Sequence, residues 1–142
     1  MRKPIAFTRA QKCDLLRARP TFEEMFDVLC SDRAATAAVW LEHGRENHYT
    51  YEEFRSRVLQ CAARIRDARI AEAGSWVALC AENSPDWPVL FWALLAAGLK
   101  PLPLPVSAPP RLKNRLLTLA GAAAVICTDS RGLLPALRRC TP

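Results

Sequence analysis

Five glycines, Gly44, Gly74, Gly98, Gly121 and Gly132, are all that this 142-residue sequence offers for cradling a phosphate. A loop that wraps phosphate with backbone amides needs glycines close together, because they let the main chain approach the anion. Here the nearest pair, Gly121 and Gly132, is 11 residues apart, so neither a dinucleotide fingerprint nor a Walker loop can be drawn. A metal site would have to use His43 and His48, with Glu42 and Glu46. These four fall in a turn-rich segment, and a five-residue spacing sends the two imidazoles to opposite faces of a regular strand. Ser84 precedes a Pro-Asp pair and reads as a helix cap, not as a nucleophile in an elbow. Cys80 ends an apolar run with no histidine or basic cluster beside it in sequence, which favours a packed thiol over an activated one. Glu52, Glu53 and Asp86 sit where helix starts favour carboxylates. None forms an apolar-flanked pair suited to acid–base work. Of Trp40, Trp76, Trp87 and Trp92, three lie in apolar runs, so core packing is expected before a ligand cage. The residues nominate no catalytic, cofactor-binding or metal-ligating side chain.

Apolar residues make up 51% of the chain, enough for the core of one domain. The net charge of +6 is unevenly placed: residues 1–20 hold Arg2, Lys3, Arg9, Lys12, Arg17 and Arg19 against Asp14 alone, which leaves the remainder near neutral. A nucleic-acid binder more often carries its basic face on the folded part. Residues 1–20 therefore read as a solvated basic leader, with a targeting or docking arm as the functional alternative. The longest uncharged apolar stretch, residues 87–99, is 13 residues long, short of the ~20 that a spanning helix needs. The cysteines, at 13, 30, 61, 80, 127 and 140, are never closer than 13 residues, which excludes zinc-finger and Cys-x-x-Cys spacings. They are expected to be thiols of a cytoplasmic protein, although the count alone leaves a disulfide framework open.

Any site would be positioned by elements that periodicity predicts from Thr21 onward. Thr21 and Glu24 form a capping box ahead of a helix over about 21–30. Residues 36–41 read as a strand, 44–47 as a turn and 48–50 as extended, which makes a hairpin. A second box, Thr50 with Glu53, opens an amphipathic helix over about 51–68, with Phe54, Val58, Cys61, Ala62 and Ile65 inward. Residues 76–80 form a buried strand. The helix 84–98 that follows is apolar nearly all round and so is expected to be deeply buried. Residues 101–105, Pro-Leu-Pro-Leu-Pro, can be a strand whose Leu102 and Leu104 amides bond the strand at 76–80, with both leucines beneath helix 84–98. A polyproline connector is the alternative. A helix over 109–120, a strand over 123–127, a turn over 128–131 and a short helix over 133–139 complete the chain. Helix, hairpin, helix and then alternating strands and helices give an α/β fold, a parallel sheet flanked by helices.

The order of these signals resembles the start of the adenylate-forming (AMP-binding) enzymes. Tyr49-Thr50-Tyr51-Glu52-Glu53-Phe54 is similar to their aromatic-Thr-Tyr-x-Glu-Leu helix start. Gly74-Ser75-Trp76-Val77-Ala78-Leu79 resembles the strand that follows, with Ser75 where the family usually has an acidic residue. Glu82-Asn83-Ser84-Pro85-Asp86-Trp87 is close to the Asn-Ser-x-Glu-aromatic helix start. Residues 96–105 resemble the Ala-Gly-x-x-x-x-Pro-Leu-x-Pro strand, and residues 116–129 the helix and strand ending in Val-Ile-x-Thr-Asp. The match covers about residues 20–135, as a partial N-terminal AMP-binding domain over 21–142.

The resemblance implies an acid–thiol ligase such as an acyl-CoA synthetase. Such enzymes use MgATP to turn a carboxylic acid into an acyl-adenylate, and many then pass the acyl group to coenzyme A or a carrier protein. It places the phosphate loop, the adenine and ribose contacts, the hinge and the catalytic lysine beyond the matched region. ATP, Mg and coenzyme A are therefore cofactors of the full-length family, and none is expected for this chain alone. The leading reading is an N-terminal fragment, inactive by itself, that needs the remainder of the large domain or self-associates. The alternative is a stand-alone non-catalytic interaction module on the same scaffold, and a third is an unrelated doubly wound binding domain.

Overall fold

A computed structural model describes residues 8–18, 20–127 and 136–139. By compactness the chain divides inside its longest helix into two units, Met1–Arg57 and Val58–Pro142.

The first unit opens with α1, Arg9–Arg17, closed at its start by a Thr8–Gln11 capping box and packed against the next helix. The leader thus contains a helix that periodicity does not disclose. Its apolar pattern is weak, and the Thr8-x-x-Gln11 box is the only start signal it carries. Helix α2, Phe22–Leu29, has the expected box: the Thr21 amide donates to the Glu24 carboxylate at 2.8 Å and the Glu24 amide to the Thr21 hydroxyl at 3.3 Å. Strands β1, Thr36–Glu42, and β2, Arg45–Thr50, pair antiparallel, with Glu42 opposite Arg45. The turn is therefore the two residues His43 and Gly44, not residues 44–47. Both have positive φ, 52° and 74°, the hairpin geometry whose twist matches the strands. Arg45, Glu46 and Asn47 look like turn residues because they are polar, yet they are strand residues on a solvated hairpin.

Helix α3, Tyr51–Asp67, starts directly from β2. Its first three amides are paired. The Tyr51 amide donates to the Ala35 carbonyl and the Glu52 amide to the Arg33 carbonyl, both at 3.0 Å. The Glu53 amide donates to the Thr50 hydroxyl at 3.3 Å, while the Thr50 amide donates back to the Glu53 carboxylate at 2.8 Å. An aromatic chain runs Trp40–Tyr49–Phe54–Phe26–Phe22, with ring centroids 5.3–6.1 Å apart. Phe26, Tyr49 and Phe54 are buried.

The second unit is built on a four-stranded sheet of order β4-β3-β5-β6. Strand β3, Trp76–Cys80, is parallel to β4, Lys100–Pro103, on one side and to β5, Ala124–Cys127, on the other. Strand β6, Ala136–Arg139, pairs antiparallel with β5. This corrects the short helix expected over 133–139, where Ala136–Arg139 takes the last place in the sheet instead. The turn expected at 128–131 and residues 133–135 lie outside the described residues. Val77, Ala78, Leu79 and Cys80 are all buried, the continuous pattern of a strand covered on both faces.

Lys100–Pro103 is a strand, not a polyproline connector. The Lys100 amide donates to the Ser75 carbonyl and the Leu104 amide to the Leu79 carbonyl, both at 2.9 Å. Leu102 sits between them opposite Ala78. The leucines do not pack beneath the helix after β3, however. Leu104, Ala78 and Cys80 form one cluster, joined by Leu102, Val125 and Cys127 and by Leu116 and Leu117 of α5, Pro110–Ala120. The reason is topological. The chain moves outward from β3 to β4 and then back across β3 to β5, and right-handed connections put successive helices on opposite faces when direction reverses. Helix α4, Asp86–Ala96, packs against β3 and β4, and the connection rule assigns it the face of Val77 and Leu79.

Helix α4 departs from expectation in two further ways. Pro85 is its N-cap and no side chain caps it. Ser84 contributes its carbonyl, which accepts from the Trp87 amide at 3.0 Å. Only Val89, Leu90, Ala93 and Leu94 are buried. Trp87, Pro88, Phe91, Trp92 and Leu95 are half-buried, so an all-round apolar composition is fully buried on one side and only partly covered elsewhere. No tryptophan is buried, and Trp76 is 40% exposed. Among the described residues no helix is long and apolar enough to cross a membrane.

These placements separate two leucines. Leu104 is 5% exposed and Leu119 is 73% exposed. Leu104→Ala is expected to lower the unfolding free energy by about 2–4 kcal/mol through lost burial and a residual cavity, and Leu119→Ala to change it by less than about 0.5 kcal/mol. Urea denaturation of both variants checks this ordering, and equal losses would contradict the packing of Leu104.

Candidate functional site

Residue types that can do chemistry come together in the first unit. A cleft of about 280 Å³ is lined by Trp40, His48, Tyr49, Glu53, Ser56 and Arg57. Trp40, His48 and Tyr49 come from the hairpin. Glu53, Ser56 and Arg57 come from the first two turns of α3, three and one residues apart and so on one side of the helix. The abrupt β2-to-α3 junction places the two sets together. In the sequence, Glu53 shows only as a cap and Arg57 only as part of a solvated face. The missing signal is the tight hairpin, which folds Trp40 back beside Tyr49 with ring centroids 5.5 Å apart.

The cleft's charges are already engaged. Glu53 accepts from the Thr50 amide at 2.8 Å and the Thr50 hydroxyl at 3.1 Å. The amide bond first, and then the hydroxyl, hold its carboxyl below the usual carboxylate range. A carboxylate kept ionised in this way is a poor proton donor near neutrality. Arg57 lies over the Tyr49 ring, 5.5 Å from its centroid. Every lining residue but Tyr49 is exposed or half-buried, and the volume is slightly below the ~300–1,000 Å³ typical of small-molecule sites. The arrangement is a solvated dent over an aromatic stack.

Other charged groups nearby stabilise local structure. Arg33 pairs with Glu52 at 2.9 Å and Arg55 with Asp27 at 2.6 Å, while the Arg55 guanidinium also lies over Phe26. His43 occupies the hairpin turn and His48 the cleft, so the structure does not assemble them with Glu42 and Glu46. Among the described residues no group of three His, Cys, Asp or Glu side chains could hold a metal ion.

The described cysteines are free thiols: Cys30 and Cys80 buried, Cys61 and Cys127 half-buried, Cys13 exposed. Burial pushes the Cys30 thiol up to about 11, with the Arg55 guanidinium opposing it. Burial likewise raises Cys61. Both stay protonated at neutral pH, the opposite of an activated nucleophile. Cys140 lies outside the described residues.

A family of known proteins matches this chain over residues 28–142, and its description is AMP-binding enzyme. No curated protein matches. Solved structures do. Klebsiella oxytoca NpsA in complex with 3-hydroxyanthranilyl-AMSN aligns with a TM-score of 0.67 at 23% identity, over 80% of this chain and 22% of that one. The NpsA N-terminal subdomain aligns with a TM-score of 0.65 at 25% identity, over 78% of this chain and 28% of that one. The fatty acid AMP ligase from Legionella pneumophila aligns with a TM-score of 0.61 at 19% identity, over 77% of this chain and 20% of that one. The chain thus spans between a fifth and three tenths of the length of these structures.

The protonated state of Cys30 has a pH consequence. Its folded pKa, about 11, lies above the ordinary 9.0, so the folded state holds a proton that the unfolded state releases. Its contribution to stability is complete below pH 9 and is lost as the pH rises from about 9 to 11. Urea midpoints measured from pH 8 to 11 should fall in that window, and Cys30→Ala should flatten the fall. Iodoacetamide should modify Cys13 at least tenfold faster than Cys30 at pH 8. Equal rates would place Cys30 at the surface.

Proposed function

We propose that this chain, which belongs to the AMP-binding enzyme family, supplies the N-terminal segment of an ATP-dependent acid-activating ligase and binds no nucleotide by itself. The observation that carries this is the βαβ arrangement of β3, α4, β4, α5 and β5, whose fold aligns with the N-terminal subdomain of NpsA over 78% of this chain. The dispersed glycines support the second half of the proposal, because they leave no run of amides to cradle a triphosphate. The reaction assigned to the complete protein is formation of an acyl-adenylate from a carboxylic acid and MgATP. Transfer to a thiol such as that of coenzyme A follows. ATP, Mg and the thiol acceptor are bound by residues other than those present here.

The half-buried Trp87, Phe91, Trp92 and Leu95 on α4 support a need for further cover. The Trp87 and Phe91 rings stack at 5.4 Å, and Trp92 meets Phe91 edge-on at 6.4 Å. An aromatic group of this kind suits burial under more protein. We assign that cover to the remainder of the large domain, with self-association in its absence. A cytoplasmic location, and a division into a basic leader, 1–20, and an α/β part, 21–142, belong to the same proposal.

Isothermal titration of the purified 142-residue chain with MgATP should give no saturable heat, and ATP–pyrophosphate exchange with a panel of carboxylic acids should stay at the no-protein background. Micromolar MgATP binding would defeat the proposal.

A further inference from the structure

The side of β4 that faces away from β3 carries carbonyls and no amides. Within a strand, the N–H and C=O of one residue point to the same side, and successive residues alternate. The amide bonds from Lys100 to Ser75 and from Leu104 to Leu79, with Leu102 opposite Ala78 between them, direct the even-numbered residues toward β3. The odd positions are Pro101 and Pro103, which therefore address the outer side. Each offers a carbonyl and lacks an N–H. Strand β4 is the last of the sheet on that side among the described residues. Beyond the strand the chain satisfies its own carbonyls: Pro105 accepts from the Ala108 amide at 3.1 Å and Val106 from the Lys113 ammonium at 2.6 Å. The donor-free edge thus coincides with the strand and stops where the turn begins.

We propose that Pro101 and Pro103 seal the β4 edge against strand addition by a second copy of this chain. An incoming strand would meet two acceptors and no donor over the whole of Lys100–Pro103. Its inward-facing carbonyls would lie against pyrrolidine rings, giving up water without gaining an amide. Exposed edges invite pairing between chains, and proline on an edge strand is one way to prevent it. Two prolines at alternate positions remove every outward donor while leaving all the β3-directed bonds intact.

The test is the double variant Pro101→Val, Pro103→Val, which restores two outward amides on a residue type that suits strands. Sedimentation velocity across a concentration series should show at least a twofold rise in weight-average mass over the unaltered chain. Hydrogen exchange should show the restored amides at positions 101 and 103 protected at least tenfold relative to free exposed amides. The single variants Pro101→Val and Pro103→Val, each opening half the edge, should show smaller shifts in the same direction, and they provide the readout if the double variant does not fold. Pro109→Val adds a comparable apolar side chain off the edge and should leave the mass unchanged. Unchanged mass with freely exchanging amides at 101 and 103 would overturn the proposal. So would an equal rise in mass from Pro109→Val.

Discussion

Strand β3 has to be satisfied on two edges and two faces at once, and the second unit is arranged around that requirement. Its odd-numbered residues give their backbone groups to β4, as the bonds to the Ser75 and Leu79 carbonyls show. The Trp76 carbonyl turns the other way and accepts from the Ala123 amide at 2.9 Å. Val77–Cys80 are buried throughout, so no backbone group here can fall back on water. Two parallel neighbours supply the bonds, and helices must cover both faces. Because β4 and β5 lie on opposite sides of β3, the two crossover helices fall on opposite faces. Helix α5 then meets Ala78, Cys80 and Leu104 through Leu116 and Leu117.

The first unit solves a different problem, that of starting a long helix from a hairpin without orphaned amides. The Ala35 and Arg33 carbonyls, the Thr50 hydroxyl and the Glu53 carboxylate take up the donors at the junction. The residues that look chemically promising in the adjacent cleft are held by the junction itself, since Glu53 caps the helix and Arg57 covers Tyr49. That is why Glu53 and Arg57, in a cleft that also holds His48 and Ser56, serve the junction first. The two ion pairs, Arg33–Glu52 and Arg55–Asp27, are partly exposed and act as ties across the junction more than as sources of stability.

Much of this was legible in the residues. The Thr21–Glu24 and Thr50–Glu53 boxes, the α3 stripe through Phe54, Val58, Ala62 and Ile65, and the strand at 76–80 depend on short-range chemistry that a linear pattern records. The proline alternation at 101–105 was legible for the same reason, since a missing N–H is a property of the residue itself. The family was legible because ordered motifs with fixed spacing survive even where each alone is weak. The cleft was not legible, because it depends on a two-residue turn at His43 and Gly44. That turn uses a non-glycine residue at positive φ, which composition does not announce. Residues 136–139 look helical because a short segment of Ala, Leu and Arg has helical propensity, and pairing with β5 overrides it.

By itself the sequence determined most of the helices and strands, the capping boxes of α2 and α3, which side of β4 can bond, and that no run of glycines is available for a phosphate. Each of these is a local property, set by side-chain type and by spacings of two, three or four residues. Only the tertiary structure decided which helix covers Leu102 and Leu104, how much of α4 is covered, that Trp76 stands 40% exposed, and that Ala136–Arg139 takes the last place in the sheet. Those outcomes depend on strand order and on the handedness of the connections. Both are relations between segments distant in sequence, and hydrophobic periodicity shows that a face is apolar without showing what lies against it.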